Sequence, residues 1–290
     1  MPGKQPDLKI TAHELAPNTP RKDPLFLAVL AMIGGSYVIL IALMLAADVA
    51  MAFQDWEDPS SGETHRLSGV IAALNSPELR YATGLSIISS SIAAILAVWV
   101  ATPLAYLMSR FKFPGKPIID ALIDIPIILP PLVIGLLLLM LFNFPPFEWM
   151  RPWVVFEVPG VVLAQFVVAC AFATRSMRVA FDQIPQRFED VAITLGASRA
   201  QTFFRVILPQ ANRGILAAGT LAWARSLGEF GPILIFAGST RMKTEVLPTS
   251  VFLEMQSGNL QGMLAISLLM ILCAIIVLTV VRGLGGRVIG

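Results

Sequence analysis

Charged side chains inside long apolar stretches are the residues of this sequence best placed to do chemistry. Arg225 and Glu229 lie four residues apart in one such stretch. On a helix this spacing brings two side chains together, and in lipid their charges require a partner or an aqueous path. Three interpretations stay open: a buried ion pair that fixes helix packing, an anion route along Arg225 with Glu229 orienting it, or a gating or interface role.

Two acidic residues repeat that spacing in an earlier apolar stretch. Asp120 and Asp124 lie close to the basic residues Lys112 and Lys116. Carboxylates beside a basic rim favour simple ion pairs, here with arginines of a neighbouring helix or of a second copy of the chain. A proton relay is the alternative, and it would suit a secondary transporter.

Residues for covalent, metal or phosphate chemistry are sparse. The histidines, His13 and His65, lie far apart in polar segments, and the cysteines, Cys170 and Cys273, lie in apolar runs, so no set has metal-ligand spacing. The sequence has no G-x-x-x-x-G-K-[ST] phosphate loop. We therefore expect no catalytic residue, no metal and no cofactor in this chain. A formal net charge of +2 without blocks of like charge indicates no nucleic-acid partner.

The elements that hold these residues are predicted to cross a lipid bilayer. Hydrophobic residues make up 56% of the chain and charged residues 14%, with a mean hydropathy of +0.75, far from the averages of soluble domains. Uncharged runs that can cross about 30 Å of hydrocarbon leave no polar face for water. The predicted fold class is an all-α integral membrane protein with six spans, over residues 25–47, 82–109, 117–142, 160–181, 214–238 and 261–281.

The distribution of lysine and arginine predicts the orientation. Fifteen of them lie in the two tails and in the loops after spans two and four, against five on the opposite side. By the positive-inside rule both termini are cytoplasmic, in a bacterial-type inner membrane. Residues 1–24 are expected to form a disordered tail, residues 25–283 the transmembrane domain and residues 284–290 a short C-terminal tail. The outer segment 48–81 is long and acidic, and its residues do not indicate its role.

The loop over about 184–210 is too regular for a simple connector. Apolar residues recur at helical spacing from Phe188 to Leu195, and the opposite face of this predicted helix carries Glu189 and Asp190. One interpretation is an amphipathic helix lying on the lipid surface. The other is an element that docks on a partner.

A second helix is predicted to follow after a glycine hinge. Gly196 can take the left-handed conformation that ends a helix. Ser198 with Gln201 three residues later forms a capping-box pattern. Pro209 is expected to end this second helix because it lacks a backbone N–H.

The spacing within this loop resembles the cytoplasmic signature of permease subunits of binding-protein-dependent ABC importers, which is E-A-A, three residues, G, nine residues, then I-x-L-P. Here Asp190, Val191 and Ala192 are followed at the same spacings by Gly196 and by residues 206–209, Val-Ile-Leu-Pro. The departures are Asp for Glu, Val for the first Ala and Val for Ile. The resemblance implies a coupling helix that docks into a groove on a partner ATPase, which binds ATP and Mg. The residues assigned to this contact are Arg187, Glu189, Asp190, Ala192, Gly196, Ala197, Leu208 and Pro209.

Two intramembrane stretches extend the resemblance. DIPIILPPLVIGLLLL, from Asp124, and ARSLGEFGPILIFAG, from Ala224, are similar to segments of molybdate, tungstate and sulfate permeases. Prolines at membrane depth are tolerated where a helix packs in protein or lines a wet cavity, and the glycines around Glu229 indicate a hinge or gate. The residues assigned to the translocation path or gate are Asp124, Pro130, Pro131, Arg225, Glu229 and Gly231.

The resemblance implies an assembly as well. It implies a homodimer with one path at its two-fold axis, an ATPase under each protomer and a substrate-binding protein on the outer face. The implied cargo is an oxyanion, molybdate first and then tungstate or sulfate/thiosulfate, although phosphate, polyamine and iron importers share the coupling signature. An ion-coupled secondary transporter, which would work without an ATPase, is the rival class. A membrane enzyme would need a convergent catalytic set that the sequence lacks.

Overall fold

The computed structural model describes residues 24–53, 56–57, 64–65 and 67–286. Except for Pro24, the predicted disordered tail lies outside these residues, and so do the last four residues of the predicted C-terminal tail. The chain divides into two compact units, residues 1–47 and 48–290. The described part of the first unit is the leading portion of one long helix.

Helices account for nearly all of the described residues. In chain order they are α1 (Pro24–Phe53), α2 (Leu67–Leu74), α3 (Pro77–Arg110), α4 (Lys116–Ile128), α5 (Pro131–Leu141), α6 (Pro145–Glu148), α7 (Arg151–Val154), α8 (Val158–Asp182), α9 (Arg187–Thr194), α10 (Arg199–Thr202), a π-helix (Phe203–Ile207), α11 (Leu208–Gln210), α12 (Asn212–Leu227), α13 (Gly231–Phe236), α14 (Leu247–Gln256) and α15 (Leu260–Gly286).

A very small hairpin interrupts this helical class. Strand β1 (Trp56–Glu57) pairs antiparallel with β2 (Thr64–His65), with Trp56 opposite His65. Both strands belong to the acidic outer segment whose role the sequence did not indicate. That segment also contains α2 and the first turn of α3.

Helix length and hydropathy support a multi-pass membrane protein. Within the described residues, α1, α3, α8 and α15 are long and apolar enough to cross a bilayer. Each of these four helices contains one of the predicted runs. At its C-terminal end α15 continues to Gly286, so the predicted tail from residue 284 begins as helix.

The third predicted run is a bent pair rather than one straight helix. The chain bends by 116° between helices α4 and α5, and together the two helices would count as a fifth span. The bend follows from Pro130 and Pro131, which remove two consecutive donors, and from Leu129, which is extended as residues before proline tend to be.

The predicted run 214–238 is likewise divided. Helix α12 ends at Leu227, and α13 begins at Gly231 after a three-residue break. Pro232 lies in the first turn of α13, so it cannot donate the backbone hydrogen bond that would continue the ladder of α12. The two halves are separate helices, and neither is long enough alone to count as a membrane span.

Small residues bring three helices of the second unit close together. The contact faces of α3, α8 and α12 are rich in buried alanine, which lets helix backbones approach in a lipid environment where no hydrophobic force drives association. The buried alanines of this cluster are Ala94, Ala97, Ala101, Ala105, Ala169, Ala173, Ala211, Ala218 and Ala222.

The two broken helices pack against each other nearly backbone to backbone. A Cβ added at Gly231 of α13 would lie 2.7 Å from the Cβ of Pro131 in α5. A Cβ added at Gly135 of α5 would lie 2.9 Å from the carbonyl oxygen of Pro232. These separations are shorter than real Cβ contacts, so glycine is required at both positions. The start of α5, after the bend in the third predicted run, therefore packs directly against the start of α13, after the break in the fifth.

Gly135→Ala should destabilise the protein, because the new methyl group must push α5 and α13 apart. Overpacking of this kind costs about 1–3 kcal/mol, more than the ~1 kcal/mol that alanine gains over glycine as a helix former. The measurement is the thermal unfolding midpoint in detergent. The matched control is Gly84→Ala in α3, where a Cβ meets nothing within 4 Å, and which should leave the midpoint unchanged or raise it. Equal midpoints for the two variants would contradict the close packing.

Candidate functional site

The loop after α8 folds as a helix, a glycine hinge and a second helix. Helix α9 ends with Gly196 at φ +90°, as the sequence predicts. The N–H of Ala197 donates to the carbonyl of Ala192 at 3.0 Å, and that of Gly196 donates to Ile193 at 2.9 Å. This pair of bonds is the Schellman motif. It accounts for the glycine at position 196, because the residue four positions after Ala192 takes the left-handed conformation.

The second helix begins with the predicted capping box. The N–H of Gln201 donates to Ser198 Oγ at 3.2 Å, and the N–H of Ser198 donates to Gln201 Oε1 at 2.8 Å. The prediction that Pro209 ends this helix is wrong. Pro209 lies within α11, and the chain turns at Ala211 directly into α12. The π-helix before α11 provides a wider turn, which accommodates the proline ring beside the preceding carbonyls.

A buried ion pair anchors α9 to the C-terminal end of α3. Arg110 Nε lies 2.6 Å from Glu189 Oε1, and both side chains are about nine-tenths buried. Tyr106 Oη donates to Glu189 Oε2 at 3.1 Å. Arg110 Nη2 also donates to the carbonyl of Ile184 at 2.7 Å, before α9 begins. The loop is therefore held to a membrane-spanning helix by charge-assisted hydrogen bonds.

The apolar residues of α9 are exposed, and one of its two acidic residues is buried. Glu189 is buried, whereas Phe188, Val191 and Leu195 are exposed, Leu195 by 83%. Asp190 is exposed beside Glu189. The ion pair with Arg110 turns the acidic residue inward, and this leaves an apolar surface on the outside of the loop. Such a surface marks contact with a partner or a membrane.

A second arrangement of charged residues surrounds the break between α12 and α13. Arg225 Nη1 lies 2.8 Å from Glu229 Oε2, so the predicted i, i+4 pair forms. The Glu229 side chain is 1% exposed and that of Arg225 is 31% exposed. The guanidinium of Arg225 also lies over the ring of Phe172, 5.5 Å from its centroid. One partner is thus buried, and the other keeps an accessible cation.

Gln165 of α8 supports this break, and the sequence interpretation missed it. Its Nε2 donates to the carbonyl of Ser226 at 3.1 Å, and the N–H of Glu229 donates to the same carbonyl at 3.2 Å. In a continuous helix the carbonyl of Ser226 would accept from Phe230. The signal available in the sequence was a lone amide side chain inside the apolar run of α8.

The two aspartates of α4 pair with arginines of α8. Asp124 forms an ion pair with Arg175, and Arg178 Nη1 lies 2.6 Å from Asp120 Oδ1. The predicted partners on a neighbouring helix are therefore found, and this favours ion pairs over a proton relay. Among the described residues no group of three or more His, Cys, Asp or Glu could hold a metal ion.

The structure brings some of the predicted path residues together and separates others. Pro131 meets Gly231, and Arg225 meets Glu229 within the same broken run. Pro130 precedes α5 at the bend. Asp124 has its own partner, Arg175, on α8.

Known proteins are similar to this chain over most of its length. Residues 95–290 match the family model described as binding-protein-dependent transport system inner membrane component. The sulfate transport system permease protein CysT of Escherichia coli (strain K12) is 30% identical over 226 residues, which cover 75% of this chain and 82% of that protein. The molybdenum transport system permease protein ModB of the same organism is 33% identical over 214 residues, covering 71% and 93%.

A solved structure shares the fold. A chain of a bacterial ABC transporter involved in the import of the acidic polysaccharide alginate superposes with a TM-score of 0.70, covering 91% of this chain and 95% of that one. The two sequences are 16% identical, so this likeness concerns the fold alone.

Glu189→Gln should loosen α9, since it leaves the buried Arg110 without its counter-charge. Breaking one side of a buried ion pair costs up to about 3–5 kcal/mol. Amide hydrogen exchange of residues 187–195 should therefore accelerate. Asp190→Asn is the matched control, because it removes the neighbouring but exposed charge and should change exchange little. Equal exchange in both variants would show that the Arg110 contact does not hold the loop.

Proposed function

The chain belongs to the binding-protein-dependent transport system inner membrane components, the permease subunits of ABC importers, and we propose that it forms the path of an oxyanion importer as a homodimer. The proposed arrangement has six spans, with α4–α5 and α12–α13 each counted as one. Both termini and the loop containing α9 face the cytoplasm, following the distribution of lysine and arginine. The end of α3 that begins at Pro77 is then the outer end.

The observation that supports coupling is the exposed apolar face of α9 on a loop fixed by Glu189 and Arg110. A partner ATPase that binds Phe188, Val191 and Leu195 would grip a rigid element. Because the ion pair joins α9 to α3, movement of the ATPase would be passed to α3 as a rigid body. Arg187, Asp190, Leu208 and Pro209 complete the proposed coupling loop around the Schellman turn.

Alanine-rich packing would carry that movement onward. Helix α3 packs closely against α8 and α12, and α12 ends at the break beside Arg225. Movement of α3 would therefore reach the break without a flexible intermediate. ATP binding by the partner would favour an outward-open path, and hydrolysis with Mg²⁺ in that partner would favour the inward-open one.

The cargo is proposed from Arg225. Its accessible guanidinium can donate to an oxyanion while the buried Glu229 holds it in place. A polyamine or a metal cation would be repelled at this position. Relatives named for sulfate and molybdenum transport support the oxyanion class. We place molybdate first, then tungstate or sulfate/thiosulfate, delivered by a binding protein at the outer face.

Leu195→Asp should abolish co-purification of the partner ATPase, because it places a charge in the proposed apolar contact. Loss of a buried leucine contact alone is worth about 1.5–3 kcal/mol, or at least tenfold in affinity. The control is Gln183→Asp, which adds the same charge at an exposed position before α9 and should retain the ATPase. Retention by Leu195→Asp at wild-type level would contradict docking through α9.

The double variant Arg225→Gln with Glu229→Gln should insert and assemble normally but lose uptake of radiolabelled molybdate and sulfate in proteoliposomes. Replacing both charges avoids a lone buried carboxylate, so a folding defect is not expected. As a control, Arg178→Gln with Asp120→Asn removes another arginine–carboxylate pair, whose side chains are both partly exposed, and this variant should retain uptake. Normal uptake in the Arg225 and Glu229 variant would leave this pair a packing role only.

A further inference from the structure

A polar cavity of about 390 Å³ lies in the second unit near the start of α3, the end that the proposed orientation makes the outer one. It is bounded by the turn between α2 and α3, the segment before α14, α14 itself and the start of α15. Three carboxylates line it, from Glu78, Glu245 and Glu254, together with one guanidinium, from Arg241. The described lining therefore carries an excess of negative charge.

Arg241 forms an ion pair with one of these carboxylates and interacts electrostatically with the other two. Its Nη2 lies 2.7 Å from Glu254 Oε1, and this hydrogen bond raises the pKa of Arg241. Asn259 Nδ2 donates to Glu254 Oε2 at 2.6 Å, and Asn259 Oδ1 accepts from the N–H of Gly262 at 3.0 Å. Glu254 is thus satisfied on both oxygens, and it ties α14 to the start of α15.

Glu245 is different. Its side chain is among the most deeply buried in the protein, at 2% exposure, and its Oε1 accepts from Ser250 Oγ at 2.8 Å. Its Oε2 is buried and has no hydrogen-bond partner among the described residues. A buried carboxylate oxygen without a donor is costly. Glu78 adds a second acidic group to the same cavity, so one arginine faces three described carboxylates and the position calls for a cation beyond Arg241.

The dimensions of the cavity select the class of cation. Its volume exceeds by far the 10–15 Å³ or so that a single water molecule requires, and no described acidic cluster is arranged to hold a metal. An oxyanion cargo is repelled by the carboxylates. An ammonium or guanidinium group on a flexible stem matches both the charge and the space.

We propose that this cavity receives a lysine or arginine side chain of the binding protein that docks on the outer face. The inference rests on the orientation and partner given under the proposed function. It identifies a specific contact at which a loaded binding protein would be held. The contact joins α3, α14 and α15, so docking would act on the same helix that the Glu189 and Arg110 pair anchors at the other end.

The test uses the full chain in lipid nanodiscs and the tripeptide amide acetyl-Gly-Arg-Gly-NH₂, titrated by ligand-observed NMR. The same peptide with glutamine in place of arginine is the uncharged comparison. Glu245→Gln keeps an acceptor for Ser250, so it should fold, and it should weaken binding of the arginine peptide about tenfold. Glu78→Gln should weaken binding of the arginine peptide as well, and this variant replaces Glu245→Gln in the test if Glu245→Gln is unstable. Glu157→Gln, which loses an exposed partner of Lys243 at the same end, should bind as the wild type does.

Several results would overturn the proposal. Equal binding of the glutamine peptide, or unchanged binding in Glu245→Gln and Glu78→Gln, would remove the role of charge. Displacement of the arginine peptide by micromolar Mg²⁺ would make this a metal site. None of these outcomes depends on ATPase co-purification, so failure here is distinguishable from failure of the proposed function.

Discussion

The contact between Glu189 and Arg110 is the interaction on which the architecture of this permease depends. A carboxylate and a guanidinium that are about nine-tenths buried cannot separate without leaving an unpaired charge. The pair therefore makes α9 a rigid extension of α3 instead of a loosely connected loop. It also places Glu189 inward, while the apolar residues Phe188, Val191 and Leu195 remain exposed.

The rigidity of the loop matters because the helices that follow it in the structure, α3, α8 and α12, are closely packed. The alanine faces of α3, α8 and α12 allow short distances between helix backbones, and the glycines of α5 and α13 allow shorter ones still. Such interfaces shift as units between discrete arrangements and do not deform gradually. The two breaks, one made by consecutive prolines and one beside Glu229, are the places where this packed body is discontinuous. Gln165 satisfies a carbonyl there that a continuous helix would have used.

Helix α3 connects three regions of different chemistry. At one end its Tyr106 and Arg110 hold the proposed coupling loop, and along its length it packs against the helix that carries Arg225. At the other end Glu78 lines the acidic cavity with Glu245. The accessible guanidinium at the break, although paired with Glu229, and the net negative charge of the described cavity lining have opposite requirements. The first suits the proposed anionic cargo, and the second suits the proposed cationic group of the binding protein.

The sequence alone determined the features that depend on neighbours within one helical turn. The four long spans, the left-handed Gly196, the capping box of Ser198 and the i, i+4 pair of Arg225 follow from periodicity and local hydrogen bonding, and the structure has them all. Sequence spacing also identified the family, since the signature is itself a local pattern. It misjudged Pro209 because the π-helix that accommodates the proline is a departure from the regular helical period.

Only the tertiary structure decided which partners distant residues find. Glu189 lies 79 positions from Arg110, Asp124 lies 51 from Arg175, and Gln165 lies 61 from Ser226. No local pattern encodes these contacts, because each depends on how two helices are placed side by side. The burial of Glu189 beside the exposed Asp190 has the same origin. Amphipathic spacing predicts that two faces differ, and packing against α3 determines which residue is buried.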